Sequence, residues 1–164
     1  MNKYQKANIN SPNFIKNTSS LLKKMNDLNQ RAQPCIMIVD DQQINILALK
    51  LILKRIGIEE NNIIQANSGQ EALQLLEDNK NIKIIFMDIE MPVINGFQAT
   101  QLIKNRKQKQ SVKEQQQIIN IIAYTSLNDD ETILKCKDAG MDYYLEKPCS
   151  LNSVSSVIQN YYFI

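Results

Sequence analysis

The sequence predicts an α/β protein, with a parallel sheet covered by helices on both faces. Two observations carry this. Short, strand-like apolar runs alternate with helix-period segments five times along the chain, which is the pattern of repeated βα units. The strand-like runs at Ile36-Met37-Ile38-Val39 and Ile84-Ile85-Phe86-Met87 are continuously apolar rather than alternating. Strands of that kind are buried on both faces, as parallel strands are. The four glycines add a third observation, because each falls at a turn or a helix end of this scheme.

The elements follow in order. Cys35–Asp40 reads as the first strand. Gln42–Ile56 has Ile44, Leu47, Ala48, Leu51, Ile52 and Arg55 at helical spacing, and Gly57 stops it. Asn62–Ala66 is a short second strand. Ser68–Glu77 is a helix with Ser68 as N-cap and Glu71 three residues on, a capping-box pattern. Ile84–Asp88 is the third strand and Phe97–Arg106 the third helix. Ile118–Thr125 is the fourth strand. Asp129–Ala139 opens with acidic residues, which suits the helix dipole, and Gly140 reads as its C-cap. Asp142–Glu146 is the fifth strand. Leu151–Tyr161 closes the series, with Leu151, Val154, Val157, Ile158 and Tyr161 expected to face inward.

At 164 residues the chain fits one such domain. Residues 1–33 are rich in Asn, Lys, Ser and Gln and read as a polar, basic N-terminal tail or linker, disordered or with a short helix from Ser20 to Arg31. Pro34 marks entry to the folded domain, 34–164. The tail holds Lys3, Lys6, Lys16, Lys23, Lys24 and Arg31 against Asp27, a net +5, which leaves residues 34–164 at −3 within a total of +2. A second polar stretch, Lys104 to Gln117, has Val112 as its single strongly apolar residue after Lys104 and reads as solvated surface.

Composition excludes several chemistries. There is no histidine, so the chain has no imidazole to act as base, metal ligand or phosphoryl acceptor. That removes Ser-His-Asp and Cys-His sites, the common zinc sites and a histidine-kinase core. Cys35, Cys136 and Cys149 lack metal-type spacing and read as reduced hydrophobes. No apolar stretch is long enough to span a bilayer, and the N-terminus lacks a signal-peptide core. We expect a cytoplasmic or nuclear chain.

The informative residues sit at the strand ends. The third strand closes in Asp88 and the first in Asp40-Asp41; the fourth closes in Thr125-Ser126, and the fifth leads into Glu146-Lys147-Pro148. A carboxylate ending a buried strand is costly unless it is paired, protonated or bound to a cation. In an open α/β sheet, ligands bind outside the carboxyl ends of the strands, where strand order reverses. Three carboxylates gathered there repel one another and favour a cation. Oxygen ligation without His or Cys suits a hard ion such as Mg²⁺.

Together these residues closely resemble a known family. Asp40-Asp41, the run Met87-Asp88-Ile89-Glu90-Met91-Pro92-Val93-Ile94-Asn95-Gly96, Ala123-Tyr124-Thr125-Ser126 and Leu145-Glu146-Lys147-Pro148 look like the receiver domain of two-component response regulators. Asn67-Ser68-Gly69-Gln70-Glu71-Ala72-Leu73 matches the same family's entry to the second helix. The resemblance covers about residues 35–162. It implies a flavodoxin-like (βα)5 fold with strand order 2-1-3-4-5. It implies Asp88 as phosphoacceptor, with Asp41 and Asp88 on Mg²⁺, Asp40 acting mainly through water, and the Glu90 backbone carbonyl completing the ligands. Lys147 and Thr125 would meet the phosphoryl oxygens, Tyr144 would turn inward as the aromatic switch, and the Lys147–Pro148 bond would be cis. The switching face would be the fourth helix, fifth strand and fifth helix.

The partners implied are a histidine kinase or histidine phosphotransfer protein and an effector the sequence does not name. No direct DNA binding is expected, because little chain follows the last helix. A free-standing receiver of a phosphorelay and the C-terminal receiver of a hybrid kinase both fit. Ser126 stands where many members have Ala. Glu90 and Leu127 lie where the family tunes dephosphorylation, and Leu127 cannot orient water, so slow self-dephosphorylation is expected. Beyond that, no turnover enzyme is expected. A Mg²⁺-dependent phosphatase with an Asp nucleophile is disfavoured, since such enzymes place an acid/base Asp two residues on, where this chain has Glu90. A degenerate receiver serving only for docking is disfavoured by the intact acids, Thr125 and Lys147.

Overall fold

The computed structural model describes residues 34–79, 81–109 and 118–162. The tail readings for 1–33, including the helix from Ser20 to Arg31, lie outside them, as does the end of the Lys104–Gln117 stretch. The elements are β1 (Cys35–Val39), α1 (Gln43–Ile56), a 3₁₀ turn (Glu60–Asn62), β2 (Ile63–Ala66) and α2 (Gly69–Asp78). Then come β3 (Ile82–Met87), α3 (Gly96–Lys109), β4 (Asn120–Thr125), α4 (Asp130–Asp138), β5 (Tyr143–Glu146) and α5 (Leu151–Tyr161).

The five strands form one parallel sheet in the order β2-β1-β3-β4-β5. This is the flavodoxin-like doubly wound fold. Strand order reverses between β1 and β3, which puts a crevice at their carboxyl ends. Successive side chains of a strand point to opposite faces, so each strand supplies both layers. Met37, Val39, Met87, Ile121 and Ala123 pack under α2, α3 and α4 through Ala72, Leu73, Ala99, Ile103 and Cys136. Ile36, Ile38, Ile84, Phe86, Ile122 and Tyr124 pack under α1 and α5 through Ile46, Leu49, Leu53, Val154, Val157 and Ile158. Each large side chain fully buried here contributes about 1.5–3 kcal/mol.

Element ends follow local chemistry. Ser68 Oγ accepts from Glu71 N, and the Glu71 carboxylate reaches back to Asn67 N rather than to the cap's own amide. Asp129 and Ser150 cap α4 and α5 by accepting from Thr132 N and Ser153 N. Gly57, at φ 101°, ends α1. In α4 the cap residue is Ala139, still right-handed, and the left-handed turn falls one residue on at Gly140, φ 89°. There Gly140 N donates to Lys137 O and Met141 N to Cys136 O, a paired closure of the last turn.

The structure fixes which stripe of α1 faces inward and corrects the facing predicted for α5. In α1 the inward residues are Ile46, Leu49 and Leu53, while Ile44, Leu47 and Leu51 are 67%, 50% and 57% exposed. In α5 Val154, Val157 and Ile158 are buried, but Leu151 is exposed and Tyr161 half-buried. Strand limits shift as well. Part of β3 precedes Ile84, and Ile118 is exposed ahead of β4. The head of the polar stretch is the end of α3, tied down by Lys104 to Asp142 and Arg106 to Glu77. All three cysteines are free thiols. No described helix is long and apolar enough to cross a membrane.

Candidate acidic site at the carboxyl end of the sheet

Three residues that carry charge into the crevice each sit just beyond a strand, with the backbone pinned to a neighbouring strand. Asp40 N donates to Ala66 O at 3.1 Å, Asp88 N to Val39 O at 2.9 Å and Lys147 N to Thr125 O at 2.8 Å. The sheet's hydrogen bonding thus runs one residue past β1, β3 and β5. The Lys147–Pro148 peptide is cis.

The side chains converge. Asp40 is fully buried and Asp88 nearly so, while Asp41 is exposed at the mouth. One oxygen from each of the three lies within 4.8 Å of the others. Lys147 Nζ bridges two of them, 2.5 Å from Asp40 Oδ2 and 3.0 Å from Asp88 Oδ2. The other Asp40 oxygen accepts from Gln42 N at 2.9 Å and from Asn45 Nδ2 at 3.0 Å. Asp88 Oδ1 accepts from Ile89 N at 2.8 Å. Burial pushes the Asp88 carboxyl above its usual range; the Lys147 ammonium opposes that shift and the Asp40 charge adds to it.

Three carboxylates against one ammonium leave the cluster two charges negative. An all-oxygen donor set with that charge fits a hard divalent cation. Asp41 and Asp88 retain the acceptor capacity such an ion needs, whereas Asp40 is already held by three donors.

Thr125 and Tyr144 form a second group beside this cluster. Thr125 is buried at the end of β4, and its Oγ1 accepts from Leu127 N at 3.3 Å. The Tyr144 phenol donates to Leu127 O at 2.7 Å. Both residues therefore engage the loop after β4, which Leu127 helps pack onto the core. Glu90, two residues past Asp88, has its side chain exposed.

The structure adds residues that the sequence reading did not single out. Asn45, on the first turn of α1, holds Asp40; its signal is the five-residue offset that returns a helix's first turn to the preceding strand end. Gly96 fits where no other residue does, because a Cβ there would lie 2.1 Å from the Asp88 carbonyl oxygen. Its amide donates to Ile89 O at 2.9 Å, folding the loop back onto the end of β3. Within that loop Ile94 N donates to Pro92 O, which puts Val93 at φ 68°, a strained conformation for a β-branched residue.

Fold and site together define a class: a doubly wound domain that gathers carboxylates and one lysine at its topological switch point. The model of the response regulator receiver domain matches residues 36–159, and the chain belongs to that family. Hybrid signal transduction histidine kinase C of Dictyostelium discoideum is 40% identical over 131 residues, 80% of this chain and 10% of that protein. Autoinducer 1 sensor kinase/phosphatase LuxN of Vibrio harveyi is 32% identical over 78% of this chain and 13% of its own length. The chain thus spans a small fraction of the curated relatives it matches. Among solved structures, the co-crystal of Saccharomyces cerevisiae histidine phosphotransfer protein Ypd1 with the receiver domain of Ssk1 matches with TM-score 0.70 and 28% identity, covering 79% of this chain and 89% of that one. This is a receiver domain of two-component signalling.

Proposed function

We propose that this receiver accepts a phosphoryl group on Asp88 from a phosphohistidine protein and signals by binding, without turning over a substrate. The observation that carries the reading is the Asp88 carboxylate, buried within a three-acid cluster and 3.0 Å from the Lys147 ammonium. In the step, an Asp88 oxygen attacks phosphorus as the donor's N–P bond breaks. The electron pair stays on the imidazole nitrogen, and an acyl phosphate forms. A carboxylate is poorly suited to approach an anionic phosphoryl group, so cationic charge held in place is the main requirement. Lys147 supplies part of it. Mg²⁺ bound by Asp41, Asp88 and the Glu90 carbonyl, with Asp40 acting through water, would supply the rest.

The new phosphoryl oxygens are strong acceptors. Thr125 Oγ1 and Lys147 are the side-chain donors proposed to meet them. Drawing Thr125 in would strain its bond with Leu127 N, and Tyr144 holds the same residue's carbonyl. The change would reach the face of α4, β5 and α5, where Leu134 and Tyr143 are exposed. That is a bistable element biased by a local charge change.

The donor would be a histidine kinase or histidine phosphotransfer protein. The exposed stripe Ile44, Leu47 and Leu51 supports this reading, because α1 starts three residues after Asp40 and offers an apolar helix face beside the crevice. The test is labelling by a small-molecule phosphodonor with Mg²⁺. Wild type should gain one phosphoryl group and Asp88→Asn none; full labelling of the Asn variant would sink the assignment.

A further inference from the structure

One contact at the acidic site has no part in the function above. Lys147 Nζ lies over the ring of Tyr124, 5.0 Å from its centroid. We propose that Tyr124 is a positioning residue for phosphoryl transfer, its ring face holding the Lys147 ammonium in place while that ammonium's carboxylate partners change. The proposal rests on Asp88 being the phosphoacceptor.

Lys147 has three neighbours that answer its charge: Asp40, Asp88 and the Tyr124 ring. The two carboxylates do not stay constant over a phosphorylation cycle. Asp88 becomes an acyl phosphate, and its negative charge moves outward to the phosphoryl oxygens. A divalent cation competes with Lys147 for the field of Asp40 and Asp88. A lysine is a flexible stem with much rotamer freedom to lose. Held by carboxylates alone, it would lose its fixed position as it turns from the Asp88 carboxylate to the phosphoryl oxygens.

The ring does not change. Tyr124 is buried, one residue before Thr125 on β4. Its plane is set from two sides. Phe86 packs edge-on against it, with centroids 6.4 Å apart and planes at 81°. The Cys149 thiol, two residues past Lys147, lies close to the phenol in the same layer. A face of fixed orientation under a partly desolvated ammonium is the geometry in which ring and cation attract. An aliphatic side chain would fill the same space without that attraction.

The experiment replaces Tyr124 in the full chain by Phe, by Leu, and by phenylalanines with one, two and three ring fluorines. Fluorination drains charge from the ring face with little change of shape. The rate of labelling by acetyl phosphate with Mg²⁺ is then measured. Tyr124→Phe should keep most of the wild-type rate. The fluorinated series should slow stepwise, reaching about three- to thirtyfold at three fluorines, the range expected for a contact of this kind. Should Tyr124→Leu fail to fold, the ring-shaped series still decides. A flat series in a labelled protein overturns the proposal, as does a Tyr124→Phe rate as low as that of a folded Tyr124→Leu. Wild type that takes no label overturns the Asp88 reading itself, and the proposal with it.

Discussion

Asp88 is held in a setting that favours its neutral form. Burial raises its pKa above the usual 3.8, only partly offset by Lys147. A carboxyl raised on folding binds its proton more tightly in the folded state, so its contribution is fully present below the unfolded value and is lost as pH rises through the folded one. At neutral pH without divalent cation, ionised Asp88 therefore destabilises the fold. Urea titrations should find Asp88→Asn more stable than wild type at pH 7, with the gap closing as pH falls below about 4. Two glycines test the backbone separately. Gly57→Ala meets nothing within 4 Å and should cost about 1 kcal/mol, from its positive φ alone. Gly96→Ala drives a methyl into the Asp88 carbonyl and should cost about 3 kcal/mol or more and slow phosphorylation. At this scale the acids and Lys147 were legible, because a charge ending an apolar run has few uses. Asn45 and Tyr124 were not, since their partners lie on other elements and depend on register.

At the scale of elements, α1 shows where reading a pattern runs out. Its sequence is apolar on most sides, and two stripes compete: Ile46, Leu49, Leu53 and Ile44, Leu47, Leu51. Periodicity does not choose between stripes in such a helix. Packing against Phe86 and α5 chooses the first, leaving the second exposed. The strands and caps were easier, because Ser68 and Asp129 announce helix starts by hydrogen bonds made within three residues. The free stripe yields its own prediction. Leu47→Ser with Leu51→Ser should move stability by about 0.5 kcal/mol or less each, as surface changes do. Labelling by acetyl phosphate should be unaffected, while transfer from a phosphorylated histidine phosphotransfer protein should slow about tenfold, the size of an interface residue worth 1.4 kcal/mol. A variant that matches wild type with both donors would show that the protein donor docks elsewhere.

Across the whole molecule, alternation of strand and helix was enough to predict a parallel sheet with both faces covered. The strand order came with the family resemblance, because periodicity says which segments are strands and nothing of their neighbours. Residues 34–164 carry a net −3, with excess negative charge at the crevice. A cation that binds only the folded state stabilises the whole by mass action. Mg²⁺ at one hundred times its Kd should add about 2.7 kcal/mol to unfolding. A chelator should remove that gain, and Asp41→Asn should abolish most of it; an unchanged melting temperature with Mg²⁺ would contradict the reading of the acid cluster.

The amides of Asp40, Asp88 and Lys147 are bonded to Ala66, Val39 and Thr125 across the sheet. These backbone protons can trade places with deuterium only when neighbouring strands part. Protection in a fold is uneven, and loops that bind ligands usually exchange early. Here the residues that meet the ligand should be among the last to exchange, with the slow clock of the central strands, while Asp41 and Glu90 on the rim exchange fast. The site's floor and the sheet would then have one lifetime, and only its rim would breathe.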